Sequence, residues 1–231
     1  MDAITTGARS SEPLRQLVVL GHPSPNSFNR AIAETYCAAV RECGQIPMLR
    51  DLYAQKFDPV LHADETPGAG IERWPDVAAE LDYVRSADAI VLIYPIWFGT
   101  PPAIIKGYID RVLGARVRAE SLKAGLPSPL LVGKRLLTLS SSATTLPWLE
   151  EKGQWVALRQ AFDAYLVAAF QMHSSEHVHF DSIVDGLPEA VVYEHLESAR
   201  TAAFKLSSDL LHARHSIHAQ AALARRVAER A

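Results

Sequence analysis

Hydrophobic residues along this chain change period repeatedly, from short unbroken apolar runs to stripes spaced three and four residues apart. The run QLVVLG at 16–21 is of the first kind, closed by glycine, and predicts a buried parallel strand. From Asn29 to Cys43 the spacing is helical, with Ile32, Tyr36 and Val40 on one stripe and Gly44 as the stop. The alternation continues: strands are predicted at 46–49, 87–94, 134–141 and 176–183, and helices over 76–85, 101–113, 154–169 and 189–212. Two stretches keep neither period, 51–75 and 115–133, the second punctuated by Gly125, Pro127 and Pro129. Long irregular stretches in an otherwise compact domain tend to carry function.

Five strands alternating with helices imply one α/β domain, a parallel sheet with right-handed crossovers and helices on both faces. The 231 residues, 48% of them hydrophobic, allow a sizeable core. Residues 1–14 are polar and read as a disordered lead-in to a domain over 15–212. Residues 213–231, rich in Ala and Arg, either prolong the last helix or fray, exposed or against another subunit. With no apolar signal core at the start and no apolar run of roughly 18 residues, a soluble cytoplasmic protein without stable membrane insertion is expected. A net charge of -3 with scattered basic residues argues against nucleic acid as a partner. Cys37 and Cys43, six residues apart on or just after one helix, face different ways and are expected to be reduced packing residues.

Candidate chemistry concentrates at two strand ends. After the first strand comes GHPSPNSFN at 21–29, which has neither the glycine triplet of a dinucleotide fold nor a triphosphate loop. It is a polar turn into a helix, with Ser27 or Asn26 as cap. The amides of Ser27, Phe28 and Asn29 would face an anion such as phosphate, and His22 could add a donor. An ordinary capped helix with a surface histidine accounts for the same residues. After the third strand, YPIWFGTPP at 94–102 gives a rigid aromatic turn: Pro95 fixes the backbone, and Ile96, Trp97 and Phe98 present apolar and ring surface. Gly99 permits close approach or an unusual dihedral, and Pro101 and Pro102 suit the start of a helix. In a sheet ordered 2-1-3-4-5 these two loops lie side by side at the switch point. A phosphate site beside a flat apolar wall suits a flavin nucleotide.

The segments HPSPNSFN, DLYAQKFDPVL and YPIWFGTPPAIIKGYIDRV, in this order and spacing from Leu17 to Val112, resemble those of the NAD(P)H:quinone oxidoreductases and their bacterial relatives. The resemblance implies a flavodoxin-like fold with flavin as cofactor, FAD with FMN as the alternative. It implies NAD(P)H as co-substrate, a quinone or similar small-molecule acceptor, hydride passing through flavin N5, and a homodimer in which the second subunit completes each site. By resemblance, His22, Ser27, Phe28 and Asn29 hold the phosphates and the ribityl or adenosine portion, while Pro95, Ile96, Trp97 and Phe98 lie along the ring. A third flavin segment falls at 140–145 and reads SSSATT, without the family's glycine pair, so that Ser141, Ser142, Ala143 and Thr144 would meet the ring's carbonyl edge through hydroxyls and amides.

The family's downstream tyrosine and histidine are absent from LPWLEEKGQW, so their role does not transfer; Trp148 there either contacts substrate or packs under a loop. No catalytic side chain is assigned, since the flavin carries the chemistry. An ancillary flavin-binding subunit of a potassium efflux system is the alternative within the same fold. A one-electron flavodoxin carrier fits less well, since such carriers are shorter and more acidic. His177 and His179 alternate on one strand face with no carboxylate partner evident in sequence, and no metal site is expected. His212, His215 and His218 read as a solvated helix face, and Lys106, Asp110 and Arg111, which match the family segment, are explained equally well by helix-end ion pairing and by catalysis.

Overall fold

The structure, a computed structural model, describes residues 12–65, 74–115, 117, 119–126, 128 and 130–228, with the side chains of 119 and 221–228 excepted. The first eleven residues of the expected lead-in, part of the expected 51–75 loop and residues 229–231 lie outside it. Five strands form one parallel sheet in the order β2-β1-β3-β4-β5. They are β1 (Arg15–Leu20), β2 (Ile46–Asp51), β3 (Ala89–Pro95), β4 (Arg135–Ser141) and β5 (Ser174–Phe180). β3 is buried throughout, as a central strand covered on both faces must be. The last strand, expected at 176–183, ends at Phe180, and the rest of that stretch becomes loop.

Helix α1 (Phe28–Glu42) starts at Ser27, whose hydroxyl accepts the Arg30 amide at 3.2 Å. It packs with the 40-residue α8 (Glu189–Ala228) on one sheet face, over Val18, Leu20, Val91, Ile93 and Leu139. α8 runs on through the stretch expected to prolong or fray, and His212, His215 and His218 are exposed or nearly so on it. Cys37 is buried in this layer, and burial pushes its thiol up to about 11, which keeps it an inert packing group. Leu14, placed in the lead-in by the sequence, is buried there, and its carbonyl accepts the Ile46 amide.

The other face carries α2 (Pro75–Ser86), α3 (Ala103–Tyr108) and α7 (Tyr165–Phe170), over Leu17, Val19, Ile90, Leu92 and Leu136. α3 continues into a π-helical turn at Ile109–Leu113. Two expectations need correction here. The stretch 154–169 is not one regular helix. It divides into α6 (Gln154–Leu158), a π-helical segment at Arg159–Ala164 and α7. The supposed loops also contain short helices, α4 (Ala119–Lys123) and α5 (Leu146–Glu151), too brief to show a period; α5 is capped by Thr145 and separated from α6 by Gly153 at φ 69°.

Lys106 and Asp110 form the expected exposed i,i+4 pair at 2.5 Å. Arg111 instead turns inward and is 1% exposed, with its Nε bonded to both Glu65 oxygens at 2.9 Å and Nη1 to Asp76 at 2.8 Å. Its other contact is the Asp58 carbonyl, so this side chain ties the 51–65 stretch to the domain. Gly107 permits the approach, because a Cβ there would stand 2.3 Å from the Pro59 carbonyl oxygen. Among the described residues no helix is long and apolar enough to cross a membrane.

Candidate functional site

The carboxyl ends of β1, β3, β4 and β5 open onto a cavity of about 700 Å³. Its walls include ten of the residues singled out above: His22, Ser27, Phe28, Asn29, Pro95, Ile96, Trp97, Ser141, Ser142 and Ala143. The strand order brings them together, since β1 and β4 both flank β3. The Ile96 amide bonds the Ser141 carbonyl at 2.7 Å and so ties the aromatic turn to the end of β4. Three expected residues fall outside the lining. Phe98 projects fully into solvent, Thr144 is exposed, and Trp148 is 43% exposed on α5.

The α1 end suits an anion. The amides of Phe28 and Asn29 precede the first intrahelical bonds, the first turn carries no acidic residue, and the helix dipole adds partial positive charge. Burial pushes the His22 imidazole below its ordinary value, so it is neutral at pH 7. Its Nδ1 accepts the Ser24 amide at 3.1 Å, which assigns the remaining proton to Nε2, a donor with no acceptor among the described residues. Arg30 is engaged with Glu34 and Asp51, and no Lys or Arg is among the described residues lining the cavity. Asn29 is the residue best placed to meet a ligand acceptor. It is 2% exposed, its Oδ1 accepts the Ser141 hydroxyl at 2.9 Å, and its Nδ2 has no partner among the described residues. A buried amide donor left alone costs free energy that a ligand acceptor would recover.

The aromatic turn is rigid. Trp97 and Thr100 exchange backbone bonds of 3.0 and 3.1 Å, and the two residues between, Phe98 at φ 51° and Gly99 at φ 80°, make a tight turn with both φ positive. Glycine takes that conformation freely, whereas Phe98 is strained there, and strain of this kind collects at ligand sites. Trp97 lies 6.1 Å from the His22 ring.

A fourth wall escaped the sequence reading: Ile183 to Leu187, with Val192 of α8. The Ile183 amide bonds the Ser142 carbonyl at 2.9 Å and the Ser182 amide bonds that of Thr144, so the loops after β4 and β5 are stitched together. The dipeptide Asp185-Gly186 was the available turn signal. The histidines of β5 also differ from expectation. His177 has a carboxylate partner, Asp163, at 2.6 Å.

A switch-point cavity above a sheet ordered 2-1-3-4-5 is the architecture of a flavodoxin-like protein. The sequence profile of the family described as flavodoxin-like fold matches residues 15–202, and the chain belongs to that family. Over 102 residues it is 41% identical to an uncharacterized NAD(P)H oxidoreductase of Haemophilus influenzae, across 43% of this chain and 50% of that protein. Over 117 residues it is 33% identical to NAD(P)H dehydrogenase (quinone) 1 of Cavia porcellus, across 42% of each. The chain thus spans about half or less of the length of these curated relatives. Its fold is like that of an NAD(P)H:quinone oxidoreductase from Methanothermobacter marburgensis, with a TM-score of 0.73, 23% identity and coverage of 84% of this chain and 98% of that one.

Proposed function

We propose that the protein is a flavin-dependent oxidoreductase that takes hydride from NAD(P)H and passes it to a quinone or similar two-electron acceptor. The observation that carries this reading is the cavity, where an anion end, an orphaned buried amide and a rigid apolar wall meet at one switch point. The relatives, an NAD(P)H oxidoreductase and an NAD(P)H dehydrogenase (quinone), support NAD(P)H and a quinone as the reactants. Bound there, a flavin would accept hydride at N5 and give it up again at the same atom.

The residues divide the work. The Phe28 and Asn29 amides, the Ser27 hydroxyl and His22 Nε2 hold the phosphate portion, with Asn29 Nδ2 as a further donor. Pro95, Ile96 and Trp97 fix one edge of the ring, and Ser141, Ser142 and Ala143 face its polar edge. The wall keeps the ring from shifting, which matters because hydride transfer needs reacting atoms about 3 to 3.5 Å apart. The cavity continues past α1 to Leu187 and Val192, room that favours FAD over FMN. The exposed Phe98 and Trp97 are the surface that a second subunit would cover in a cytoplasmic homodimer, closing each site against water.

Anaerobic titration tests this reading. NADH or NADPH is expected to bleach the flavin of the purified protein, and a quinone to restore its colour. Bleaching without recovery on quinone would remove that class of acceptor, and failure of both nicotinamides to bleach would remove the reaction.

A further inference from the structure

We propose that a buried relay, Asp163–His177–Ser140–His179–Ser142, carries protons between a second cavity and the carboxyl-end cavity and supplies the proton that quinone reduction takes up. Its existence rests on geometry alone; its use rests on the oxidoreductase reading above.

The sheet face beneath α6 and α7 should be apolar, yet at β4 and β5 it is lined with Thr138, Ser140, His177 and His179. Parallel register sets Thr138 opposite His177 and Ser140 opposite His179. His177 Nδ1 lies 2.6 Å from Asp163 Oδ2, and its Nε2 lies 2.6 Å from the Ser140 hydroxyl. That hydroxyl is 2.8 Å from His179 Nδ1, and His179 Nε2 is 3.0 Å from the Ser142 hydroxyl. Asp163 sits in the π-helical segment, a distortion frequent at functional sites, and its Oδ1 accepts the Thr138 hydroxyl at 3.1 Å. The Trp155 ring packs on both imidazoles, 4.7 and 5.1 Å between centroids, and keeps water off the middle of the relay.

The two ends open on different cavities. Ser142 lines the site described above, and Asp163 lines a pocket of about 270 Å³ with Trp155, Arg159, Gln160 and Ser175. Burial, with His177 adding to it, lowers the His179 pKa to about 4, so near neutral pH it holds one proton and can only exchange it. The charged and titratable groups facing the relay are Arg159, with Nε 4.0 Å from Asp163, Asp181, which acts on His179, and the buried Tyr94 hydroxyl, which feels Asp163.

The relay would supply the one proton the stoichiometry calls for: NAD(P)H, one proton and a quinone give NAD(P)⁺ and a hydroquinone. Hydride donation by NAD(P)H takes up no proton, and the acceptor oxygen takes up one. A proton taken by Asp163 from water in the second pocket passes to His177 Nδ1, and His177 Nε2 gives its own to Ser140. Ser140 then gives its former proton to His179 Nδ1, and His179 Nε2 gives its proton to Ser142. Ser142 releases its proton, held until then by the Thr144 carbonyl at 2.7 Å, to the acceptor in the cavity. Each group gains and loses one proton and one crosses; both imidazoles end in the opposite tautomer and turn back before the next transfer.

The first measurement uses flavin-free protein and long-range ¹⁵N spectra of the histidine rings. Asp163→Asn is expected to move the His179 nitrogens, which it does not touch, and to lose that effect when combined with Ser140→Ala. A His179 that ignores Asp163→Asn overturns the relay. The second uses flavin-loaded protein in stopped flow. Ser140→Ala is expected to slow quinone-driven reoxidation on the order of 10²-fold, to leave reduction by NAD(P)H unchanged, and to be rescued by added imidazole at fixed pH. Should Ser140→Ala not fold, Asp163→Asn cuts the relay at its other end, outside the carboxyl-end cavity, with the same expected split. Reoxidation at the unmodified rate overturns the assigned role. A protein that takes up no flavin overturns the oxidoreductase reading, while the first measurement still decides whether the relay exists.

Discussion

Replacing Arg111 with Met should be among the most destabilising single changes in the domain. Arg111 and Glu65 are 1% and 5% exposed, and the guanidinium holds both Glu65 oxygens as well as Asp76 and the Asp58 carbonyl. It also lies over the rings of Phe57 and Trp74, 5.2 and 5.7 Å from their centroids. Met fills most of the volume but leaves the Glu65 charge buried without its partner. Breaking a buried pair in this way costs about 3 to 5 kcal/mol. The two cation–ring contacts add about 0.5 to 1 kcal/mol each. Urea unfolding at pH 7 should therefore show a loss of about 4 to 7 kcal/mol at an unchanged m-value. Arg111→Met combined with Glu65→Leu should recover most of it, because no lone charge remains. A single-variant loss below about 1 kcal/mol would show that water already reaches Glu65, as in an exposed pair, and would refute the view that Arg111 ties down the 51–65 stretch.

Two further outcomes follow from strain and titration. Phe98→Gly should raise the stability of the isolated protomer by about 1 kcal/mol, because the ring is exposed and the backbone is at φ 51°; a loss in urea melts at protein concentrations low enough to dissociate the proposed homodimer would refute the strain at Phe98. His179 has a pKa near 4 in the fold, against an ordinary 6.5, so the unfolded chain binds a proton that the folded one refuses. Its contribution is present above pH 6.5 and is lost as pH falls towards 4. The difference in stability between pH 7 and pH 4 should shrink by at most about 3 kcal/mol in His179→Gln, and an unchanged difference would place His179 in water.

The sheet was legible because each strand is a dense apolar run and each crossover has helical spacing, so a parallel order with one switch point left few alternatives. Ser27 could be read as a cap and Pro95 to Phe98 as a turn, since both depend on neighbours in sequence. The short helices at Ala119–Lys123 and Leu146–Glu151 could not, because five or six residues do not establish a period. The relay was hidden for a different reason. The alternation of His177 and His179 was visible, but the Ser140 hydroxyl between them depends on the β4–β5 register, and Asp163 reaches His177 from a π-helical segment without a sequence signature. Ile183 to Leu187 became a cavity wall because β5 ends at Phe180 and the loop beyond it bonds back to Ser142 and Thr144.

The central claim is that the carboxyl-end cavity holds a flavin. It is tested most directly by the visible spectrum of the purified protein, followed by release of the chromophore and its identification by mass. One FAD per chain is the expected result, with FMN retaining the site and changing its assignment. A colourless protein that neither flavin reconstitutes would contradict the account.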